Sequence, residues 1–329
     1  MSQSQTQSQS QTAPLRWGIL GCARISRRGL IPGILGSKAG TLHALASRDL
    51  ATARAWADEF GVPHAHGSYE QTIADPDIDA IYIPLPNELH RRWAEAAADA
   101  GKHVLCEKPL ALDLGDARAI VDHCRARGVV LREAFMWRHQ PRTADLLRRV
   151  RDGAIGTLRL VRSSFSFPID MGDWRLDPAR GGGALWDVGC YGVSTARLFA
   201  GGEPQSVRAV AHFGPTGVDL SLLAATKFPG DILGLVDCSF EQAFRCSYEL
   251  VGTAGRIEVP DAYLPPDRPI ALFHGPGGTE AWAFDGTNQY AAMVDDFADA
   301  VATGGGGPGE DGLAQMAALD AILVAAKAG

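Results

Sequence analysis

Leu15-Arg16-Trp17-Gly18-Ile19-Leu20-Gly21-Cys22-Ala23-Arg24-Ile25-Ser26 is the stretch on which the fold is read. A short apolar run ends in a glycine turn and leads into a helical segment. The turn is a variant of G-x-G-x-x-G, with Ala23 and Ser26 in the second and third glycine places. In such a fingerprint the first place needs a tight turn, the second lets backbone approach a pyrophosphate, and the third lets helix pack closely on strand. Alanine and serine are small enough for the last two. On its own the motif is weak, because an ordinary strand-to-helix turn also favours small residues. Its context decides: apolar runs continue to alternate with amphipathic stretches as far as Glu133, the pattern of a parallel sheet with crossover helices.

Working outward, strands are expected at 15–20, 41–46, 80–84, 103–106 and 129–131, with helices at 51–60, 88–100 and 114–127. After a helix over 142–152 the texture changes. Alternating segments at 158–167, 206–212, 220–228, 232–240, 245–251, 256–259 and 281–284, separated by Gly/Pro turns, predict an antiparallel sheet. One helix starting near Gly183 interrupts it, and Ala-rich helices at 290–302 and 313–327 close the chain. The glycine run 304–309 follows no strand and is expected to be a connector, not a phosphate loop. The fold class is therefore α/β, with a doubly wound, Rossmann-type parallel sheet over 15–135. A C-terminal α+β domain over 136–329 carries a large, mainly antiparallel open sheet.

With 46% hydrophobic and 21% charged residues over 329 positions, folding is the expectation. A net charge of -7 and the absence of a basic stripe argue against nucleic acid and for a small-molecule partner. The N-terminal MSQSQTQSQSQTAP lacks the basic and apolar regions of an export signal and reads as a disordered tail over 1–14. No apolar run is long enough to span a bilayer, so a soluble, cytoplasmic protein is expected. The six cysteines lie far apart, without C-x-x-C pairs and without His at zinc-ligand spacing, so reduced thiols and no metal are expected. An open sheet exposing one face predicts a homo-oligomer, a dimer or larger.

At the end of the second strand a NAD-type site would carry an acid for the ribose 2'-hydroxyl. This chain has Ser47-Arg48 instead, a hydroxyl and a guanidinium suited to a 2'-phosphate, so NADP(H) is favoured over NAD(H). Asp49 complicates the choice, but it directly precedes a helical run and is expected to cap it. Pro84-Leu85-Pro86-Asn87 and Glu107-Lys108-Pro109 follow the third and fourth of these strands, at the sheet edge where open α/β folds bind ligands.

Taken in order, Trp17–Ile25, Glu107–Pro109, Glu133-Ala134-Phe135-Met136-Trp137 and Gly181-Gly182-Gly183-Ala184-Leu185-Trp186-Asp187-Val188-Gly189-Cys190-Tyr191 carry a resemblance to a known family. The chain resembles the glucose–fructose oxidoreductase, inositol dehydrogenase and rhizopine catabolism (Gfo/Idh/MocA) oxidoreductases, most of all their branch of dihydrodiol and NADP-linked D-xylose dehydrogenases. The resemblance implies a catalytic lysine, Lys108, at the reacting oxygen and an acid-plus-aromatic pair from the second domain, Asp187 and Tyr191. It further implies that Trp137, Arg138 and Arg175 bind substrate, and that Trp174, Arg175 and Tyr290, with His90, stand at the cofactor together with Gly21, Cys22, Ala23, Arg24 and Ile25. Departures are Ala23 for the usual second glycine and Tyr191 where many relatives have His.

The chemistry expected of these groups is hydride transfer at a carbon whose oxygen gains or loses a proton, with Tyr191 as acid/base and the Lys108 ammonium favouring its ionised form. Asp187 would accept a hydrogen bond from a substrate hydroxyl. A sugar-like cyclic polyol or keto-sugar fits this set. Oxidation of a cyclic or aromatic dihydrodiol, and a non-catalytic NADP(H)-binding sensor, are the alternatives.

Overall fold

The computed structural model describes residues 13–304 and 309–328. Most of the N-terminal tail and the centre of the glycine connector lie outside the described residues. Among those described, two sheets form. The first takes β1 (Leu15–Leu20), β2 (Gly40–Ala46), β3 (His64–His66), β4 (Ala80–Ile83), β5 (His103–Cys106) and β6 (Leu131–Glu133) in the order β3-β2-β1-β4-β5-β6. Every pairing in it is parallel. A wide π-type turn at Ser26–Leu30 leads into α1 (Ile31–Gly36), and α2 (Leu50–Phe60), α3 (Tyr69–Ala74), α4 (His90–Asp99) and α5 (Leu114–Arg127) make the other crossovers. The strand order reverses between β1 and β4, which opens a crevice at their carboxyl ends.

The chain then passes through a 3-10 turn (Met136–His139) and α6 (Pro141–Arg151) into the second sheet. Its strands are β7 (Leu158–Ser166), β8 (Ser206–Phe213), β9 (Asp219–Phe228), β10 (Ile232–Ser239), β11 (Arg245–Gly252), β12 (Arg256–Val259), β13 (Ile270–Gly275) and β14 (Gly278–Ala283), in the order β14-β13-β12-β11-β7-β10-β9-β8. Only the β7–β10 pair is parallel among the described pairings. One face is covered by α7 (Cys190–Ala200) and α9 (Glu310–Ala328). The other face mixes Val210, Leu223 and Leu233, all exposed, with ion pairs such as Arg245–Asp237 and Arg256–Glu249. It is thus less apolar than the sequence alternation suggests, because charged residues fill many outward positions.

The last two helices return to the first sheet. α8 (Gln289–Thr303) packs on α1, and α9 packs on α5. Phe297 of α8 lies 5.0 Å from the Trp17 ring, and Asp295 accepts from the Ser37 hydroxyl at 2.5 Å. Gly29 makes room for this helix: a Cβ there would come within 2.5 Å of the Tyr290 ring.

Most elements fall within two or three residues of expectation. The sixth strand sits two residues later than expected, and β3, α3 and β13 were not anticipated. No helix among the described residues is long and apolar enough to cross a membrane. All six cysteines are free thiols, five of them buried.

Candidate active site

The carboxyl ends of β1, β4 and β5 open onto a cleft of about 300 Å³. Ala23, Arg24 and Ile25 of the glycine turn line one wall, and Pro84–Asn87 and Glu107–Pro109 line the wall beside it. Trp174, Arg175, Asp187 and Tyr191 come from the second region, and Tyr290 from α8 closes the back. The Gly21 amide donates to the Ala46 carbonyl at 2.9 Å, which clamps the turn beside the end of β2. Ser47 and the exposed Arg48 continue from there, on the same sheet edge but outside the cleft wall. The Asp49 carboxylate accepts from the Ala51 and Thr52 amides and from the Thr52 hydroxyl. It caps α2 as expected, so its oxygens are committed to the helix. Cys22 is half-buried, and burial pushes its thiol up to about 11.

A part-buried chain of charges crosses the cleft floor. The Lys108 ammonium donates to the Asp187 carbonyl at 2.7 Å and to its Oδ1 at 3.0 Å. Arg175 Nε donates to Asp187 Oδ2 at 2.8 Å, and Asp173 pairs with the same guanidinium at 3.1 Å. Burial opposes the charge on Lys108, but Asp187 and Glu107 outweigh it and hold the lysine above its ordinary pKa. Burial likewise opposes the Asp187 carboxylate, and Lys108 and Arg175 reverse that, holding it below the usual range. Behind Lys108, the Glu107 carboxylate accepts from the Tyr82 hydroxyl and from the Lys108 amide, and the Lys108–Pro109 peptide is cis.

Asp187 reaches this position through the glycine loop. Gly183 has φ +122°, and a Cβ there would lie 2.3 Å from Asp219 Oδ1. The other Asp219 oxygen accepts from the Leu185 amide at 2.7 Å and fixes the start of the helical turn Leu185–Gly189. That turn is π-type and runs into α7, so Asp187 and Tyr191 are not on one regular helix, yet both face the cleft.

Tyr191 departs from expectation in its ionisation. The Lys108 ammonium stands 5.1 Å from the ring centroid, over the face, while the hydroxyl donates to Met136 Sδ at 3.6 Å. Burial dominates and pushes the phenol well above the usual tyrosine value. The neutral, proton-bearing phenol is therefore the resting form, not the phenolate.

Gly21 and Cys22 lie outside the cleft wall, and three further residues expected at the site do not reach it. Trp137 is completely buried, edge-on to Tyr263 at 5.6 Å and Tyr248 at 6.3 Å. Arg138 turns the other way, pairs with Asp311, donates to Ser194, and borders a second cavity of about 240 Å³. Both follow Met136 in a tight 3-10 turn, which fans consecutive side chains in different directions, so only Met136 points into the cleft. His90 is buried behind the wall, its ring nitrogens 3.0 Å from the Pro109 carbonyl and 2.8 Å from that of Leu85. It ties the two cleft-lining loops together and does not face the cavity. Residues not anticipated as wall are Met136 and Gly181–Gly183. Both stand inside the motifs quoted above, so the signal was present.

The region 15–135 matches the model of the oxidoreductase family with NAD-binding Rossmann fold, and 143–258 matches the GFO/IDH/MocA C-terminal domain. A D-xylose 1-dehydrogenase (NADP(+)) from Haloferax volcanii is 39% identical, covering 96% of this chain and 98% of the relative. A dTDP-3,4-didehydro-2,6-dideoxy-alpha-D-glucose 3-reductase from Streptomyces violaceoruber is 37% identical, over 90% of this chain and 88% of its own. Among solved structures, a 3-ketoreductase from Actinomadura kijaniata in complex with NADP and TDP-benzene superposes with a TM-score of 0.88. It is 32% identical, covering 95% of this chain and 98% of that one.

Proposed function

The chain belongs to the Gfo/Idh/MocA oxidoreductases, and from that premise we propose that it is an NADP(H)-dependent oxidoreductase acting at a hydroxyl or carbonyl carbon of a sugar-like cyclic substrate. The observation that carries the reading is the Lys108–Asp187–Arg175 charge chain lying across from the glycine turn in one cleft. NADP(H), when bound, supplies or accepts the hydride. The turn 21–25, the loops 84–87 and 107–109, and Tyr290 are the residues that would hold its pyrophosphate and nicotinamide ends, and Ser47-Arg48 its 2'-phosphate. Asp49 stays ionised, and the α2 cap turns its oxygens to the Ala51 and Thr52 amides rather than to a ribose hydroxyl.

Lys108 and Tyr191 both rest with their protons on. Aimed at one substrate oxygen, the ammonium stabilises negative charge developing there and the phenol donates the proton that neutralises it. Carbonyl reduction is thus the direction for which the resting site is set. Asp187, ionised and held on both sides, accepts from a neighbouring hydroxyl and fixes the substrate's orientation. Arg175, with Trp174 beside it, supplies a donor for a further oxygen and an apolar face for a ring.

Relatives named for sugars match at 39% and 37% identity, whereas a trans-1,2-dihydrobenzene-1,2-diol dehydrogenase from Danio rerio matches at 33% over 75% of this chain, which favours a sugar or keto-sugar over an aromatic dihydrodiol. Retention of the whole charge chain speaks against a non-catalytic sensor. The test is NADP(H) absorbance with aldoses, keto-sugars, cyclic diols and short alcohols side by side. Activity with a sugar or keto-sugar is the expected result; equal or better kcat/KM for a short alcohol removes the polyol reading. The unit 15–135 is assigned to the cofactor, 136–329 to substrate and self-association, and the compartment to the cytoplasm. A homo-oligomer formed on the open sheet face should scatter light as a multiple of one chain's mass.

A further inference from the structure

The parallel sheet carries a second cluster, far along the β2–β3 edge from Lys108. His64 and His66 are two residues apart on β3, so both side chains fall on one face of the strand. Asp75 stands at the end of α3, which packs over the same edge. One ligand atom each from His64, His66 and Asp75 all lie within 4.8 Å of one another. His43 of β2 comes from the next strand, its ring 4.7 Å from that of His64 and one of its nitrogens within the same distance limit of Asp75.

The hydrogen bonding leaves this group unsatisfied. His66 Nδ1 lies 2.9 Å from the Thr72 hydroxyl, while its Nε2 stands 3.8 Å from Asp75 Oδ2, too far for a hydrogen bond. Asp75 Oδ1 accepts from the Asp77 amide, and no donor among the described residues reaches Oδ2. The neighbouring cations are used elsewhere: Arg16 pairs with Asp77 and Asp79, and Lys102 donates to the carbonyls of Asp75 and Ile78. His43 Nε2 is buried with no partner at all.

We propose that His64, His66 and Asp75 bind one divalent transition ion of the zinc class, with His43 as the fourth ligand. Two or three imidazoles with one carboxylate form a nitrogen/oxygen donor set suited to such an ion. Bonds of about 2.0–2.2 Å put tetrahedral ligand atoms roughly 3.3–3.5 Å apart. Drawing the atoms in from within 4.8 Å takes small side-chain rotations, which the exposed His64 can supply. Thr72 would take the part of the outer partner that fixes a metal-bound histidine by its other ring nitrogen. The ligands come from three elements that only the fold brings together, so the sequence shows no zinc-motif spacing. The His66 carbonyl also accepts from the Ser47 amide at 3.1 Å. An ion at His66 would therefore stiffen the strand end that carries Ser47-Arg48.

The test is calorimetric titration of the chelator-treated full chain with Zn²⁺, paired with the visible spectrum on adding Co²⁺. One ion per chain and the absorption bands of a nitrogen/oxygen-ligated, low-coordinate Co²⁺ are expected. His64→Ala and His66→Ala should weaken binding by about 100-fold or more, and Thr72→Val by roughly 10-fold. His212→Ala, in the second sheet, should bind as the parent does. Absence of saturable binding, or parent-like binding in both His64→Ala and His66→Ala, overturns the proposal. If His66→Ala loses its circular dichroism, His64→Ala, altered at an exposed side chain, decides alone.

Discussion

The two ends of the cleft are built on opposite physical terms. At Lys108 the charges are largely withdrawn from solvent and each is paired, so Asp187 is gripped from both sides before any substrate arrives. At Arg48 the guanidinium is exposed, and the neighbouring Asp49 carboxylate is turned to the helix it caps. A preorganised, water-poor end stabilises charge that appears during reaction, where each lost contact is felt in the rate. A solvated end discriminates between ligands by a modest, salt-screened difference in affinity. Chemistry and cofactor preference are thereby separable by mutation.

The largest effect should come from Lys108→Met, which removes the buried ammonium and leaves Asp187 facing the reacting oxygen. Turnover should fall by more than about 100-fold while the fold and NADP(H) binding persist, as steady-state and fluorescence titration can measure. Tyr191→Phe should follow, with a loss of about 100-fold in kcat and little change in KM. A variant at either position with near-parent turnover would mean that this end is not preorganised for chemistry. Because both groups keep their protons above their ordinary values, kcat/KM for carbonyl reduction should stay flat from about pH 6 to 9. A fall near neutrality would point to a different acid.

At the other end, Arg48→Ala should weaken NADP(H) by roughly tenfold and leave NAD(H) nearly unchanged. The effect should shrink as salt is added. Tighter parent binding of NAD(H) would break this half of the comparison.

The smallest effect is on stability. Burial raises Glu133 to about 8 and Asp219 to about 7, so between the ordinary carboxylate range and those values the folded chain holds protons that the unfolded chain has released. Their contribution is full at acid pH, declines from about pH 4 upward, and is gone once pH has passed about 7 to 8. The melting temperature should drop by a few degrees across that window, and Glu133→Gln with Asp219→Asn should flatten the drop.

The same contrast explains what the sequence could and could not reveal. Long segments such as α5 and β7 can be read to within a residue, α5 because its apolar positions fall on one buried face and β7 because a long run between turn signals marks its ends. Three-residue β3 and six-residue α3 are too short to establish a period, and β13 lies among prolines and glycines. Lys108, Asp187 and Tyr191 were legible because they sit in recognisable motifs at element ends. Trp137 and Arg138 were misplaced because in an irregular turn adjacency says nothing about direction. The neutral state of Tyr191 was hidden too, for it depends on how completely the fold buries the phenol, which no sequence records. His43, His64, His66 and Asp75 passed unnoticed for the same reason.

Helix α8, whose Tyr290 closes the cleft and whose Phe297 packs on Trp17, also sets a timetable. The strand that opens the nucleotide fold ends at Leu20, yet its packing partner Phe297 is made only after the whole of the second sheet up to β14. At about 5–20 residues per second, the first sheet waits on the order of ten seconds or more with one side of α1 and β2 bare. During synthesis, then, the cofactor pocket cannot be complete until the substrate region has already been translated.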